Sequence, residues 1–137
     1  MGVMNEIAAK VATLTGLTVG TTIFLGYMPS TPDAICCIYE YGGQAPEFQF
    51  GVLGIKREIP AIQVSFRGAP GDYAAPRTLA NTAWVGLARV EAASLTGGTT
   101  ALYYTIHPVQ SPFLIVRDES NRPIIGFNIY CEKELSA

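Results

Sequence analysis

The chain has 137 residues, a net charge of −2 and only 15% charged side chains, whereas ordinary soluble domains contain about 25%. Because 49% of the residues are apolar and the mean hydropathy is +0.27, we expect one domain, residues 1–137, that covers part of its surface with partners. Lys56 and Arg57 are the only adjacent basic residues. The sequence therefore lacks the basic stripe that tight nucleic-acid binding by a single subunit requires.

The cysteines favour a reducing compartment. The chain has three cysteines, Cys36, Cys37 and Cys131, and the first two are adjacent. An odd number with this spacing predicts small buried side chains rather than a disulfide framework or a zinc site. The first residues lack the basic and apolar regions of a signal peptide. No apolar run approaches the roughly 18 residues that a membrane span needs, so no membrane association is expected.

The first third of the chain alternates helix and strand signals. An amphipathic helix is predicted over residues 3–14, with Val3, Ile7, Val11 and Leu14 on one face and Asn5, Glu6 and Lys10 on the polar side. Residues 18–25 are β-branched and predict a short strand. Two prolines make residues 28–33 a rigid connector. The apolar run over residues 34–41 predicts a strand buried on both faces.

Residues 42–54 predict a long loop or a loose hairpin, because four glycines and a proline interrupt them. A long loop in a compact domain is usually functional or mobile. Phe48, Phe50 and Leu53 would be costly to leave in water, and Lys56 and Arg57 follow directly. We therefore expect this segment to contact a neighbouring subunit or another protein. The strand tyrosines Tyr103 and Tyr130 are the second candidate for an interface.

The centre of the chain reads as strand, turn and helix. Ile62, Val64 and Phe66 alternate with polar residues, which is the period of a half-buried strand. Residues 68–72 form a turn whose Asp72 can cap the next element. A helix is predicted over residues 73–93. Its core-facing stripe consists of Leu79, Ala83, Leu87 and Val90. Ala80 and Trp84 widen this stripe.

The last third predicts three strands and fixes the fold class. The strands span residues 102–107, 113–117 and 125–132, and a hairpin-type turn at residues 118–123 separates the last two. Short turns favour neighbouring strands. We therefore expect an α+β fold: a mostly antiparallel mixed sheet of about four to six strands, one long helix packed on it, and the N-terminal helix beside that helix or at the sheet edge.

The sequence shows no catalytic signature. The single histidine, His107, would need Ser111 and Asp118 nearby to form a triad, and we interpret it as an ordinary strand residue. Residues 68–72 follow a strand and open a helix as phosphate loops do, but they lack the Gly-Lys-Ser/Thr ending. The sequence also lacks Cys and His residues at the spacing of a metal site, and it lacks a pair of carboxylates suited to acid–base catalysis. We expect neither an enzyme nor a cofactor.

Several segments together resemble a phage family labelled minor capsid protein, whose members look like tail terminators of long-tailed phages. The similarity runs from Pro29 over most of the chain, and it is carried by PSTPD (29–33), YEYGG (39–43), PAIQV (60–64), RGAPGDY (67–73), QSPF (110–113) and RDESNRP (117–123).

This resemblance implies a virion protein, assembled in the host cytoplasm, that forms a homo-oligomeric, hexameric ring at the head-proximal end of the tail tube. The implied partners are the tail tube protein and the head connector or stopper protein, with DNA passing through the ring without sequence-specific binding. Two alternatives stay open: another neck or head-completion protein, or a small α+β enzyme or ligand-binding domain.

Overall fold

The computed structural model describes residues 2–48, 55–95 and 101–134. In chain order the elements are α1 (Val3–Thr15), β1 (Ile23–Leu25), β2 (Ile35–Phe48), β3 (Ile55–Arg67), α2 (Ala74–Ala88), β4 (Glu91–Leu95), β5 (Ala101–Pro108), β6 (Phe113–Arg117) and β7 (Pro123–Glu134). Within these residues the strands form one seven-stranded sheet in the order β1-β2-β3-β7-β5-β4, with β6 also beside β7. The predicted α+β fold is confirmed, with more strands than expected.

The last strand, β7, is the centre of the sheet. Strand β3 lies along one side of it, with Val64 opposite Phe127. The other side is shared end to end, because β6 pairs with the first half of β7 and β5 with the second half. All pairings between the named strands are antiparallel except the short parallel contact of β1 with β2. The prediction that the last three strands lie next to one another is confirmed, because β5 and β6 both pair with β7.

Both helices pack on the same face of the sheet, which we call the helix face; the opposite side is the open face. The core combines residues of α1 and α2 with the inward-facing residues of the long strands, namely Val3, Ile7, Val11, Ala80, Ala83, Leu87, Ile38, Ile62, Val64, Phe66, Ile125 and Phe127. These side chains alternate along β3 and β7, as the period of two predicts. The alternating strand residues were therefore assigned to the correct side.

The long helix is shorter than predicted. Its start agrees with the sequence, because the N–H of Ala75 donates to Asp72 Oδ1 at 3.3 Å. Its end does not: α2 stops at Ala88, and Glu91 and Ala93 pair with β5. Alanine, glutamate and leucine favour helix in isolation, but pairing with a neighbouring strand supplies hydrogen bonds that overrule this preference.

Residues 42–54 are predicted to form a long loop or a loose hairpin, and residues 42–48 belong to β2, which forms a hairpin with the antiparallel β3. Strand β2 continues to Phe48 and β3 begins at Ile55, with irregular register between Tyr41 and Phe48. A Cβ at Gly43 would lie 2.1 Å from the carbonyl oxygen of Ile59, so the close approach of the two strands requires glycine there. Residues 49–54, with Phe50 and Leu53, lie outside the described residues.

No described helix is long and apolar enough to span a membrane.

Candidate assembly surface

The open face of the sheet is rich in tyrosine and amide side chains. One shallow depression of about 260 Å³ is lined by Gln44, Ile59, His107, Tyr130 and Glu132. A second, of about 250 Å³, is lined by Tyr39, Tyr41, Gln63 and Asn128. Tyrosine and amide groups combine apolar contact area with hydrogen-bonding capacity, as protein-binding surfaces do. Tyr130, one of the predicted interface residues, is half-buried here.

A small charged cluster lies at one end of this face. Arg57 Nη1 lies 3.4 Å from Glu132 Oε1, and its guanidinium carbon lies 4.5 Å from the centre of the Tyr104 ring. His107 Nε2 lies 2.5 Å from Glu132 Oε2. The hydrogen bond from His107 is the main reason that the pKa of Glu132 is lowered, and Arg57 adds to it. Arg57, a predicted interface residue, therefore already shares its charge with a carboxylate.

The enzymatic alternative finds little support in this geometry. The carboxylate next to His107 is Glu132, not Asp118. Asp118 accepts hydrogen bonds from the backbone N–H and the Nε of Arg122, and the pKa of Asp118 is lowered chiefly by the former. It thus organises the turn between β6 and β7. Within the described part of the chain, no group of three or more potential metal ligands is found.

The other end of the open face is covered by the segment 26–33, which we call the strap. Two buried arginines hold it by its carbonyl groups. Arg67 donates to the carbonyls of Asp33 at 2.9 Å, Pro29 at 2.6 Å and Pro32 at 2.8 Å. Arg122 donates to the carbonyl of Ser30 at 2.6 Å. Burial lowers the pKa of Arg67, with the charge of Arg122 adding to the effect. The predicted rigid connector is thus fixed by charge-assisted hydrogen bonds.

A buried charged cluster lies on the helix face, and it corrects two predictions. Glu6, placed on the polar side of α1 from the sequence, is fully buried and accepts a hydrogen bond from the Tyr103 hydroxyl at 3.1 Å. Tyr103 is also fully buried, so it is a core residue in this subunit rather than a surface tyrosine. Burial raises the pKa of Tyr103, and the nearby Glu6 carboxylate adds to the shift.

Lys133 completes this cluster and was missed from the sequence. Its Nζ lies 2.9 Å from Glu58 Oε1 and 3.9 Å from Glu6 Oε1. A signal was present, because Lys133 continues the inward series Ile125, Phe127, Ile129 and Cys131 at a spacing of two. The cluster ties α1 to the sheet.

Besides the outer edge of the terminal strand β4, the described sheet leaves edges of β6 and β2 open. Strand β6 pairs only with β7, and all its large apolar residues are at least partly exposed. On the opposite margin, β1 covers β2 only at Cys36, Cys37 and Ile38. The sequence predicts β6 as a strand but does not predict its exposure, because a short apolar run is normally buried.

The family model described as Bacteriophage tail terminator protein matches residues 10–135. The chain belongs to this family. It is therefore a structural protein of the phage tail and a component of the virion. Comparison with curated proteins gave no match.

The match covers every strand of this tail terminator family member, together with α2. It begins at Lys10, within α1, so Glu6 precedes it. Of the predicted interface residues, Phe48 and Lys56 lie at the described ends of β2 and β3, Arg57 and Tyr130 lie on the open face, and Tyr103 lies in the core. The role of the hairpin in assembly stays a prediction.

Proposed function

We propose that the chain forms a closed ring on the head-proximal end of the tail tube, stops tube polymerisation there, and joins the tail to the head connector. The observation that carries the proposal is the family match, because it spans the whole sheet. The ring is hexameric, and DNA passes through it. The segment of residues 42–54 contacts the neighbouring subunit or the tube.

The composition and surface of the subunit support an assembly role. Charged residues make up only 15% of the chain, and large apolar side chains such as Phe113 and Val116 are exposed on an edge strand. Such a surface is costly in water and favours protein contacts. Arg57 is paired with Glu132, so this pair presents a balanced charge. A balanced surface suits DNA that must pass without being held.

The test is a phage in which the gene is disrupted and then restored on a plasmid. Electron microscopy is expected to show tails of uncontrolled length without heads, and the plasmid should restore normal particles. Tails of normal length that lack heads would indicate the alternative role, a neck or head-completion protein. Normal infectious particles in the disrupted phage would overturn both roles.

The oligomeric state is tested separately by size-exclusion chromatography with light scattering. A closed hexamer has six times the subunit mass of 14.7 kDa. A subunit that stays monomeric both in solution and on isolated tails would contradict the ring.

A further inference from the structure

We propose that neighbouring copies join by adding β6 of one copy to the open edge of β2 of the next copy. This rests on the proposed ring, for which it names the contacting strands. The joint surfaces are residues 113–117 of β6 and residues 40–44 of β2.

Strand β6 has the properties of an edge that is covered in the assembled protein. Phe113 and Leu114 are each 39% exposed and Val116 is 52% exposed. Its only charged residue is Arg117 at the end. Natural sheets normally protect such edges with charges, because an exposed apolar edge strand is a template for another strand. Strand β6 carries little of this protection, so we expect a partner strand to cover it in the assembled protein.

The outer edge of β2 is the matching surface. Beyond Ile38 no described strand pairs with its outer side, and residues 40–45 are exposed. Pro46 lies in the same open stretch, and proline within sheets is confined to edges of this kind. The free edge is long enough to accept all of β6.

The sheet topology makes this contact head-to-tail. Strand β2 lies on the β3 side of β7, whereas β6 lies on the other side. Strand β2 runs in the same direction as β7, because each is antiparallel to β3, and β6 runs against β7. Within one subunit Val116 lies level with Ile35 across the sheet, so two copies in the same orientation must be shifted along the strands until β6 has passed β1. In that position β6 lies antiparallel to the open part of β2. Each copy uses one edge of each kind, which is how a heterologous contact closes a ring.

One register of β6 against β2 brings opposite charges together and also aligns the corresponding faces of the two sheets. If Arg117 lies opposite Glu40, then Val116 lies opposite Tyr41. Within a subunit, Arg117 pairs with Pro123 and Glu40 with Ile62, so both belong to the helix face. Val116 pairs with Ile124 and Tyr41 with Ala61, so both belong to the open face.

The same register also matches side-chain size and charge. The large residues Leu114 and Ile115 fall beside Gly42 and Gly43, where there are no side chains to obstruct them. Glu40 and Arg117 are both exposed, and neither forms an ion pair with another described residue. Their attraction across the contact fixes the register, since opposite charges in a directly opposed pair are favourable.

The competing arrangement is a symmetric pairing of β6 with β6. It would relate two copies by a twofold axis and turn every second copy over, which yields closed dimers instead of a ring with two different faces. Cysteine cross-linking distinguishes the two. Cβ atoms of directly opposed strand residues lie about 4.5–5.5 Å apart, close to the separation that a disulfide needs.

The experiment uses Tyr41→Cys and Val116→Cys in the full chain, free and on tails. The native Cys36, Cys37 and Cys131 are buried. We expect a cross-linked dimer only when the two single variants are mixed, and a ladder of higher species from the double variant. Thr82→Cys, on the exposed side of α2, is the control partner for Tyr41→Cys and should give no dimer.

Charge reversal supplies a second readout. Arg117→Glu or Glu40→Arg alone should reduce the oligomeric fraction in light scattering at least tenfold, and combining them should restore it. Arg89→Glu, which also reverses an exposed arginine, should have no effect. A cross-linked dimer from Val116→Cys alone, or none from the mixture in rings or tails, overturns the proposal. Cross-linking with normal tail lengths in the disrupted phage would instead overturn the proposed function alone.

Discussion

Lys133 Nζ lies 2.9 Å from Glu58 Oε1 and 3.9 Å from Glu6 Oε1. Lys133 and Glu6 are both fully buried, so α1 is joined to the sheet through charges that water does not screen. A buried charge that loses its partner is strongly destabilising. This arrangement makes the cluster a sensitive point of the fold.

Lys133→Met should therefore lower the free energy of unfolding by about 3–5 kcal/mol at neutral pH, measured by urea denaturation. The reason is that Glu6 and Glu58 lose their shared cation. The control is Lys133→Met combined with Glu6→Gln, which should lose less than the sum of the two single changes because the residues are coupled. A loss below about 1 kcal/mol for Lys133→Met would mean that the cluster contributes little.

The Glu132 carboxylate should make stability depend on pH. Its pKa is lowered from the ordinary 4.5, mainly by the His107 hydrogen bond. Stabilisation by ionised Glu132 is thus complete above this ordinary value and is lost as the pH falls through the lowered folded-state pKa. The stability advantage of the wild type over Glu132→Gln should shrink as the pH falls below about 5. An advantage that grows as the pH falls below about 5 would reverse the assigned sign.

The strap depends on Arg67, which donates hydrogen bonds to three of its carbonyl groups. Arg67→Ala should cost at least about 3 kcal/mol, because three charge-assisted hydrogen bonds to the strap are lost together. Arg67→Lys should recover only part of this, since an ammonium lacks the planar fork. Cys37, whose Sγ lies 3.1 Å from the Tyr27 carbonyl oxygen, should react faster with a thiol reagent when the strap opens. Arg89→Ala is the control for both readouts.

The core stripe of α2 is tested by Leu87→Ala. Leu87 is fully buried between α2 and the sheet, so a loss of about 2–5 kcal/mol is expected from the removed side chain and the remaining cavity. Val85→Ala, on the exposed side of the same helix, should change the unfolding free energy by less than about 0.5 kcal/mol. Equal effects of the two changes would mean that the helix is oriented differently.

Local periodicity predicted the parts of the fold in which it decides the structure. Ile62, Val64 and Phe66 alternate, and they all lie in the core. The same period placed Ile125, Phe127 and Ile129 correctly. Asp72 was recognised as a cap because that contact spans only three residues.

Contacts between distant parts of the chain were the ones that sequence could not supply. Glu6 is buried because Tyr103, 97 residues away, donates to it. Glu91 and Ala93 form a strand only because β5 lies beside them. The exposure of Val116 follows from the order of the strands, which no local pattern encodes.

The hairpin is tested by deleting residues 45–53. The deletion should leave a folded subunit, because β3 from Arg57 onward pairs with β7 and the core residues of β2 precede Tyr41. If the hairpin contacts the tube, this subunit should fail to cap tubes, and tails of uncontrolled length should appear by electron microscopy. Circular dichroism and thermal unfolding provide the control for folding. Since the deletion begins after Gln44, the β2 edge proposed to bind β6 is retained. Cross-linking between Tyr41→Cys and Val116→Cys should therefore persist. Normal tails from the deleted protein would place the tube contact elsewhere, most directly on the open face around Tyr130.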